Sequence, residues 1–174
     1  QSLLDGQCRT LAEIDVIVYA QGPGTFTGLR IGAGVAQGLS MALNLPLVGI
    51  PTLDAVALVA PKHGCVLAAI DARMGEVFYA WYDTHSMTRL SDYAVAKPAD
   101  ITPLTEDAIG VGNAYDLYAD ILPAGTATMP TAQDYIKLAC SGRYPASDAQ
   151  AADLLYVRNK IALTAQEQAQ KKSS

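Results

Sequence analysis

Short runs of apolar, largely β-branched residues recur along the chain at lengths typical of buried strands. These runs predict strands over residues 14–20, 47–50 and 65–71. The run over 76–82 follows the turn residues Met74 and Gly75, which predicts a hairpin, with a third strand over 88–95. Between the strands, longer stretches predict helices over 28–43 and from Thr52, the predicted N-cap, to about 62–64.

The predicted helix from Gly28 to Leu43 is apolar nearly all round, and Arg30 is its only charged residue. Small residues recur on it at every fourth position, in the two tracks Gly28, Gly32, Ala36 and Gly34, Gly38, Ala42. Each glycine costs a helix roughly 1 kcal/mol relative to alanine, so close packing must offset this cost. Such a helix is buried in its own domain or covered by a partner helix, and the small size of the chain favours a partner. Gly32→Leu or Ala36→Trp is then expected to abolish association while leaving the fold intact.

The segment 22–32 is a glycine-rich corner between the first predicted strand and this helix. A Walker phosphate loop would need a lysine where Leu29 stands, and a dinucleotide-binding turn would need a glycine where Thr27 stands. The third interpretation, favoured on general grounds, is a tight turn that packs the helix on the sheet. Thr25 or Thr27 can cap the helix by accepting a hydrogen bond from an unpaired backbone N–H.

The proline-bearing segment 97–103 predicts a boundary between a first lobe, 1–97, and a second lobe, 98–174. Residues 1–11 resemble the tail of a helix, with apolar residues at helical spacing. In the second lobe the pattern predicts a strand over 108–113 and helices over 114–122, 135–142 and most of 148–169. Thr131 to Asp134 predict the cap of the middle helix. Gly110 and Gly112 fit either a tight strand-to-helix turn or a nucleotide site.

Composition narrows the class of protein. The chain is 51% hydrophobic and 17% charged, which is sufficient for a buried core and atypical of disorder. Its net charge of −5, with no basic block before the C-terminal end, argues against tight binding of nucleic acid by this chain alone. No apolar run is long enough to span a membrane. The three widely spaced cysteines, Cys8, Cys65 and Cys140, predict isolated buried thiols in a reducing compartment such as the cytoplasm.

Candidate catalytic residues are few. Asp71, Arg73 and Glu76 cluster at the predicted hairpin turn, and a local ion pair of Arg73 is favoured over an acid–base site. The two histidines, His63 and His85, lie far apart, and no cysteine or histidine pair has the spacing of metal ligands. No Gly-x-Ser-x-Gly elbow or Ser–His–Asp set can be assembled.

The sequence resembles one known family from about Leu3 to Ala162. The motifs that carry the resemblance are Gly-Pro-Gly-Thr-Phe-Thr-Gly-Leu-Arg-Ile-Gly at 22–32, Ala-Gln-Gly-Leu at 36–39, Pro-Leu-Val-Gly-Ile at 46–50, Thr-Leu at 52–53, Asp-Ala-Arg-Met-Gly-Glu-Val-Phe at 71–78 and Tyr-Val-Arg-Asn-Lys-Ile-Ala at 156–162. On these motifs the chain is identified as a member of the TsaB family (older name YeaZ). The resemblance implies an α/β, actin-like (ribonuclease H-like) two-lobe fold. It also implies that the family's N-terminal hairpin strands are missing, because the chain opens inside the first long helix.

The family resemblance implies an accessory role in tRNA modification. Members of this family are expected to bind and stabilise TsaD, which transfers threonylcarbamoyl from threonylcarbamoyl-adenylate to N6 of the adenosine next to the tRNA anticodon. A P-loop ATPase, TsaE, is expected in a larger complex. This chain is expected to bind no cofactor or metal, with ATP and metal on the partner subunits. The segment that carries two metal-binding histidines in TsaD is here 51–57 and has none. Alone, the chain is expected to form a homodimer.

The residues expected at the partner interface lie on the helix 28–43 and on the helix before it: Leu4, Cys8, Gly28, Leu29, Ile31, Gly32, Val35, Ala36 and Leu39. The motif loop comprises Gly22, Pro23, Gly24, Thr25, Phe26, Thr27 and Arg30. Two other functions remain open. One is a kinase-like enzyme that binds a nucleotide at the glycine-rich corner and the Gly110–Gly112 turn. The other is a metallopeptidase-like protein, against which the missing ligand pair argues.

Overall fold

The computed structural model describes residues 6–7 and 9–157, which form two β-sheets and four α-helices. The first sheet contains β1 (Ile17–Gly22), β2 (Leu47–Pro51) and β9 (Ala146–Ser147) in that order, with β1 and β2 parallel and β9 antiparallel to β2. The helices are α1 (Phe26–Leu43), α2 (Thr52–Leu58), α3 (Tyr115–Tyr118) and α4 (Ala132–Ala139). Among the described residues, no helix has the length and apolar character needed to cross a membrane.

The second sheet is built around the hairpin of β3 (Val66–Arg73) and β4 (Glu76–Asp83). The shorter strands are β5 (Thr88–Arg89), β6 (Ala94–Ala96), β7 (Ile109–Val111) and β8 (Gly125–Thr126). Their order is β5-β4-β3-β7-β8, and β6 also pairs with β4. On the outer edge of β3, β7 pairs in parallel, and on the outer edge of β4, β5 pairs antiparallel.

Side chains alternate between the two faces along each strand of the first sheet, and helices pack against both faces. On one face, Tyr19 and Leu47 form a buried cluster with Ala33 and Ala36 of α1. On the other face, Val48 and Ile50 pack against a cluster contributed by α2 and α4. Both faces are therefore apolar, which explains why β1 and β2 read as continuous apolar runs rather than alternating ones.

Helix α2 lies between the two sheets and belongs to the core of each. Its Ala55 joins the cluster on the first sheet, whereas Leu53 and Val56 join a cluster with the even-numbered residues of β3. The odd-numbered residues of β3 face away from α2, into a third cluster that includes Tyr115 of α3. This sharing makes α2 the central packing element of the described structure.

A partly buried network of hydrogen bonds strengthens the same junction. The Asp54 carboxylate on α2 accepts hydrogen bonds from three phenols at once. Tyr82 donates to Oδ1 at 2.6 Å, Tyr93 donates to Oδ1 at 2.7 Å, and Tyr144 donates to Oδ2 at 2.8 Å. Tyr82 belongs to the second sheet and Tyr144 lies just before β9 of the first, so one carboxylate connects both sheets.

Most strands and helices predicted from the sequence are present, with shifted ends. The predicted strand over 88–95 is two short strands, β5 and β6. The predicted helix from Thr52 begins there but ends at Leu58, and its N-cap is Pro51 rather than Thr52. Pro61 explains the early end, because a proline disfavours helical geometry in the residue before it. The helix predicted over 114–122 is also shorter than predicted and is only α3.

The helix predicted over 148–169 is wrong for its described part. Asp148 accepts hydrogen bonds from the N–H groups of Gln150 and Ala151, which begins only a short 3-10 turn. The chain then extends along the first sheet, where the Leu155 N–H donates to the Gln21 carbonyl at 2.8 Å. Residues 158–169 lie outside the described residues. The helix tail predicted over 1–11 is wrong for its described part, because residues 6–7 form a turn, residues 9–10 are not helical and Leu11 begins a 3-10 helix. Residues 1–5 and 8 lie outside the described residues.

The division of the chain into lobes 1–97 and 98–174 stays a prediction. The two sheets divide the sequence differently from this boundary. Strands β7 and β8 follow residue 98 and complete the sheet of the β3–β4 hairpin, while β9 returns to the first sheet beside β2. Each sheet thus combines residues from before and after the predicted boundary.

Candidate partner-binding face

The glycine-rich corner places α1 tightly against the end of β1. Gly22 has a φ of +106°, and a Cβ there would stand 2.9 Å from the Leu155 carbonyl oxygen and 3.0 Å from the Leu29 side chain. Pro23 follows across a cis peptide bond and is fully buried. A side chain at position 22 would therefore push the helix and the segment at Leu155 apart. This geometry is that of the tight turn favoured in the sequence analysis.

Neither threonine of the corner makes the predicted side-chain cap of α1. Thr25 is the N-cap by position, but its side chain makes no capping hydrogen bond. Its hydroxyl instead lies beside Gly28, where a Cβ would approach within 2.7 Å of Oγ1. Thr27 is not a cap, because it is already within the helix. Gly28 thus gives the Thr25 side chain room at the first turn.

The inner side of α1 is narrow and made of small residues. Ala33, Ala36 and Ser40 are its buried positions. The spacing of Ala36 from Gly28 and Gly32 had predicted that all three share an exposed interface. Because Ala36 is buried, it does not belong to that interface. It packs on the first sheet with Tyr19 and Leu47, and a tryptophan there would disrupt the core rather than test association.

The opposite side of α1 is apolar and exposed. Ile31 is 62% exposed, Val35 59% and Leu39 42%. We define the outer face of α1 as the five predicted interface residues that share this exposed side: Gly28, Ile31, Gly32, Val35 and Leu39. At Gly32 a Cβ would meet nothing within 4 Å, and the same is true at Gly34 and Gly38 alongside the outer face. A second helix could approach the α1 backbone closely here.

The remaining motif and interface residues lie beside the outer face rather than on it. Leu29 is half-buried over Gly22 and Gly24, where it fills the corner. Phe26 and Arg30 are exposed, and the Arg30 guanidinium lies 3.3 Å from the centroid of the Phe26 ring. Leu4 and Cys8 lie outside the described residues.

The other residues that the sequence analysis considered as chemical sites make local contacts within the fold. Arg73 pairs with Asp71, with 3.2 Å between Nη1 and Oδ2, which confirms the local ion pair. His63 lies 3.6 Å from the Asp107 carboxylate. Cys65 is buried as predicted, whereas Cys140 is exposed. Within residues 6–7 and 9–157, no three His, Cys, Asp or Glu side chains converge as metal ligands would.

The second glycine pair serves packing within the chain. A Cβ on Gly110 would overlap the Tyr115 ring, and a Cβ on Gly112 would overlap the Ala69 carbonyl oxygen. Gly112 also has a φ of +122°. Both glycines therefore allow β7 and α3 to pack closely on β3, as a tight strand-to-helix turn requires.

Two groups of residues escaped the sequence analysis. The tyrosines that converge on Asp54 share no spacing, since only the fold brings β4, the segment before β6 and the segment before β9 together. Tyr156 was noted as part of a motif, but its hydrogen bond from the Arg30 side chain was not predicted. An aromatic residue far along the chain gives no signal for such a contact.

Comparison with known proteins gives the family. The family model described as "TsaD: tRNA N6-adenosine threonylcarbamoyltransferase" matches residues 3–172. The "tRNA threonylcarbamoyladenosine biosynthesis protein TsaB" of Escherichia coli is 36% identical over 183 residues, which cover 93% of this chain and 78% of that protein. The protein of the same name from Haemophilus influenzae is 47% identical over 73 residues, or 40% of this chain and 31% of its own length.

Solved structures agree with the sequence relatives. "YeaZ from Pseudomonas aeruginosa" superimposes with a TM-score of 0.77 at 32% identity, covering 90% of this chain and 79% of that one. A second Pseudomonas aeruginosa structure, titled an uncharacterized protein with similarity to peptidase YEAZ, gives a TM-score of 0.78 at 32% identity, with 90% and 80% covered. These matches confirm the predicted α/β, actin-like fold class. The chain therefore belongs to the TsaB (YeaZ) family, within the wider family whose model bears the name of TsaD.

Proposed function

We propose that this protein is an accessory subunit in the synthesis of threonylcarbamoyladenosine in tRNA, and that the outer face of α1 binds TsaD. The observation that carries the proposal is the exposed apolar stripe of Ile31, Val35 and Leu39 beside glycines with open space above them. An exposed apolar helix face of this kind marks an interaction site in a water-soluble domain. The names of the Escherichia coli and Haemophilus influenzae relatives supply the pathway.

The shape of the outer face favours another helix as the occupant. Because Gly28 and Gly32 have no side chains that would hold a second helix away, the two helix backbones can come close and make more contacts. Ile31 and Val35 flank this groove and supply the apolar area that drives association. We propose a helix-on-helix seam in which α1 packs against TsaD, and Leu4 and Cys8, which lie outside the described residues, are proposed to contribute to the same interface.

In this proposal the chain performs no chemistry and binds no cofactor. The segment Pro51–Ala57, which would have to hold a metal, contains no histidine. Its one carboxylate, that of Asp54, already accepts three phenol hydrogen bonds. ATP and metal are assigned to the partner subunits, TsaD and the ATPase TsaE. The net charge of −5 also supports the assignment of tRNA binding to the partner subunits.

A charge placed on the outer face tests the proposal directly. Ile31→Asp should abolish the complex with TsaD in sedimentation velocity, because an unpaired carboxylate would be buried in the seam. Ile136→Asp is a matched control. Ile136 is the same residue type, is 53% exposed, and lies on α4, on the opposite side of the first sheet. A complex that survives Ile31→Asp would exclude the outer face as the interface.

The same face accounts for the homodimer proposed for the isolated chain. An exposed apolar surface that lacks its partner tends to bind a second copy, and two copies of one helix form a self-complementary interface. TsaD and a second copy would then compete for Ile31 and Val35. Addition of TsaD to the homodimer should therefore release monomers into the heterodimer, and a ternary species containing two copies per TsaD at this face would contradict the shared site.

A further inference from the structure

Arg30 occupies a defined position at the edge of the exposed side of α1. Its guanidinium lies over the Phe26 ring, 3.3 Å from the centroid, and 5.8 Å from the centroid of Tyr156. Nη2 donates a hydrogen bond to the Tyr156 hydroxyl at 3.0 Å. Two aromatic side chains thus fix a group that would otherwise sample many rotamers in water.

This guanidinium has no carboxylate partner within the described part of the chain. By contrast, Arg9 pairs with Glu13 at 2.7 Å and Arg73 pairs with Asp71 at 3.2 Å. An arginine has five N–H donors, and the bond to Tyr156 uses one of them. The remaining donors form a planar fork that matches the two oxygens of a carboxylate. Arg30 is therefore ordered in advance for an acidic group that the described residues of its own chain do not supply.

A second copy of the chain cannot supply that group from the same helix. Helix α1 contains no Asp or Glu along its 18 residues, so a homodimer built on its outer face brings no carboxylate of α1 to Arg30. An apolar stripe alone binds any apolar helix, and specificity needs a feature that only one partner satisfies. A charged residue at the border of an apolar stripe is such a feature.

We infer, on the basis of the proposed function, that Arg30 pairs with a carboxylate of TsaD and so makes the heterodimer preferred over the homodimer. The apolar outer face supplies attraction that both partners share. The aromatic-held guanidinium adds an interaction that TsaD alone completes. Phe26 and Tyr156 act as positioning residues for Arg30, because they hold its plane without contacting the acidic group themselves.

Association constants of charge variants test the inference. Arg30→Gln should weaken binding to TsaD about tenfold or more at low salt, since a hydrogen bond between charged groups is lost. Arg30→Glu should bind more weakly still, and the association rate of both variants should fall less with added salt than that of the wild type. Lys137→Gln is the matched control, because Lys137 is an exposed cation on α4, beyond the first sheet from α1. It should leave both quantities unchanged.

Self-association, measured on the same proteins by sedimentation equilibrium, separates selection from general packing. The homodimer constant of Arg30→Gln should stay within about twofold of the wild type. An equal loss in homodimer and heterodimer would overturn the selective role, as would unchanged TsaD binding by Arg30→Gln and Arg30→Glu. Failure of the proposed function has a different signature, namely a TsaD complex that survives Ile31→Asp.

Discussion

The Asp54 carboxylate shows how one residue can organise several distant ones. Burial, and next the charge of Asp54, raises the pKa of Tyr82. Burial likewise raises the pKa of Tyr93 and Tyr144, whose phenols also donate to Asp54. These phenols stay protonated in the folded protein because ionisation would place a phenolate beside a carboxylate in a poorly hydrated site.

Alkaline pH should therefore weaken the fold through Tyr82, which is only 2% exposed. Above pH ~10 the unfolded chain releases this phenolic proton and the folded chain keeps it, so the free energy of unfolding falls as pH rises. Urea denaturation between pH ~9 and ~11 measures the slope. Tyr82→Phe should make the total fall across this range smaller by about 1.4 kcal/mol, and the slope correspondingly shallower. The same slope in wild type and variant would contradict this assignment.

Single residues also mark the limit of the sequence analysis. Gly32 and Ala36 stand one helical turn apart and looked equivalent, yet Gly32 is exposed and Ala36 is buried. A helix that is apolar nearly all round does not indicate which side faces its own sheet, so spacing alone could not separate them. Ile31, Val35 and Leu39 do share the exposed side of α1, because residues four and eight apart lie on the same side of a helix.

At the scale of elements, α1 combines a constrained inner side with an unconstrained outer one. Ala33 and Ala36 pack on the sheet, while Gly32, Gly34 and Gly38 contact nothing where a Cβ would stand. These three glycines give the isolated chain no packing in return for the conformational freedom that they add to the unfolded state. The helix is thus less stable than a helix of the same length without these glycines would be.

Replacement of an open glycine on α1 should stabilise the isolated chain. Gly34→Ala is expected to raise the free energy of unfolding by about 1 kcal/mol, because alanine favours the helix and meets no neighbour. Gly28→Ala should gain less, since its Cβ would stand 2.7 Å from the Thr25 hydroxyl. Urea denaturation compares the two variants. A Gly34→Ala chain less stable than Gly28→Ala would show that the outer side of α1 is not open.

The elements that the sequence predicted best depend on local pattern. The β3–β4 hairpin follows from two apolar runs around the turn at Met74 and Gly75, and the capping box of α4 from Thr131 and Asp134. The segment after Asp148 was predicted as a helix and is extended beyond its short turn instead. Its conformation depends on the Leu155 contact with Gln21, which no local pattern contains.

At the scale of the whole molecule, two contacts at Gly112 and Asn113 attach the later part of the chain to the hairpin sheet. Gly112 lets the chain turn past Ala69 at the end of β7. The Asn113 side chain then accepts a hydrogen bond from the Asp71 N–H at 2.9 Å. These contacts hold β7 in register beside β3.

Gly112→Ala should therefore destabilise the whole fold, by about 3 kcal/mol or more, because the added Cβ would overlap a backbone carbonyl. Gly142→Ala is the matched control. Gly142 has a positive φ of +74° but open space around it, so only the cost of the left-handed conformation, about 1–2 kcal/mol, applies. Thermal or urea unfolding measures both. Equal losses would mean that the contact with Ala69 relaxes without cost.

The position of α2 between the two sheets has a consequence for how such proteins can diversify. Leu53 and Ala55 face different sheets, and Asp54 accepts bonds from residues on both sides of residue 97. A chimera that joined the first 97 residues of one relative to the remainder of another would have to match at this single helix. Recombination at that boundary is thus constrained. A substitution on α2 must be matched by substitutions in the residues that it contacts on both sheets, so the two parts of the chain cannot be exchanged independently.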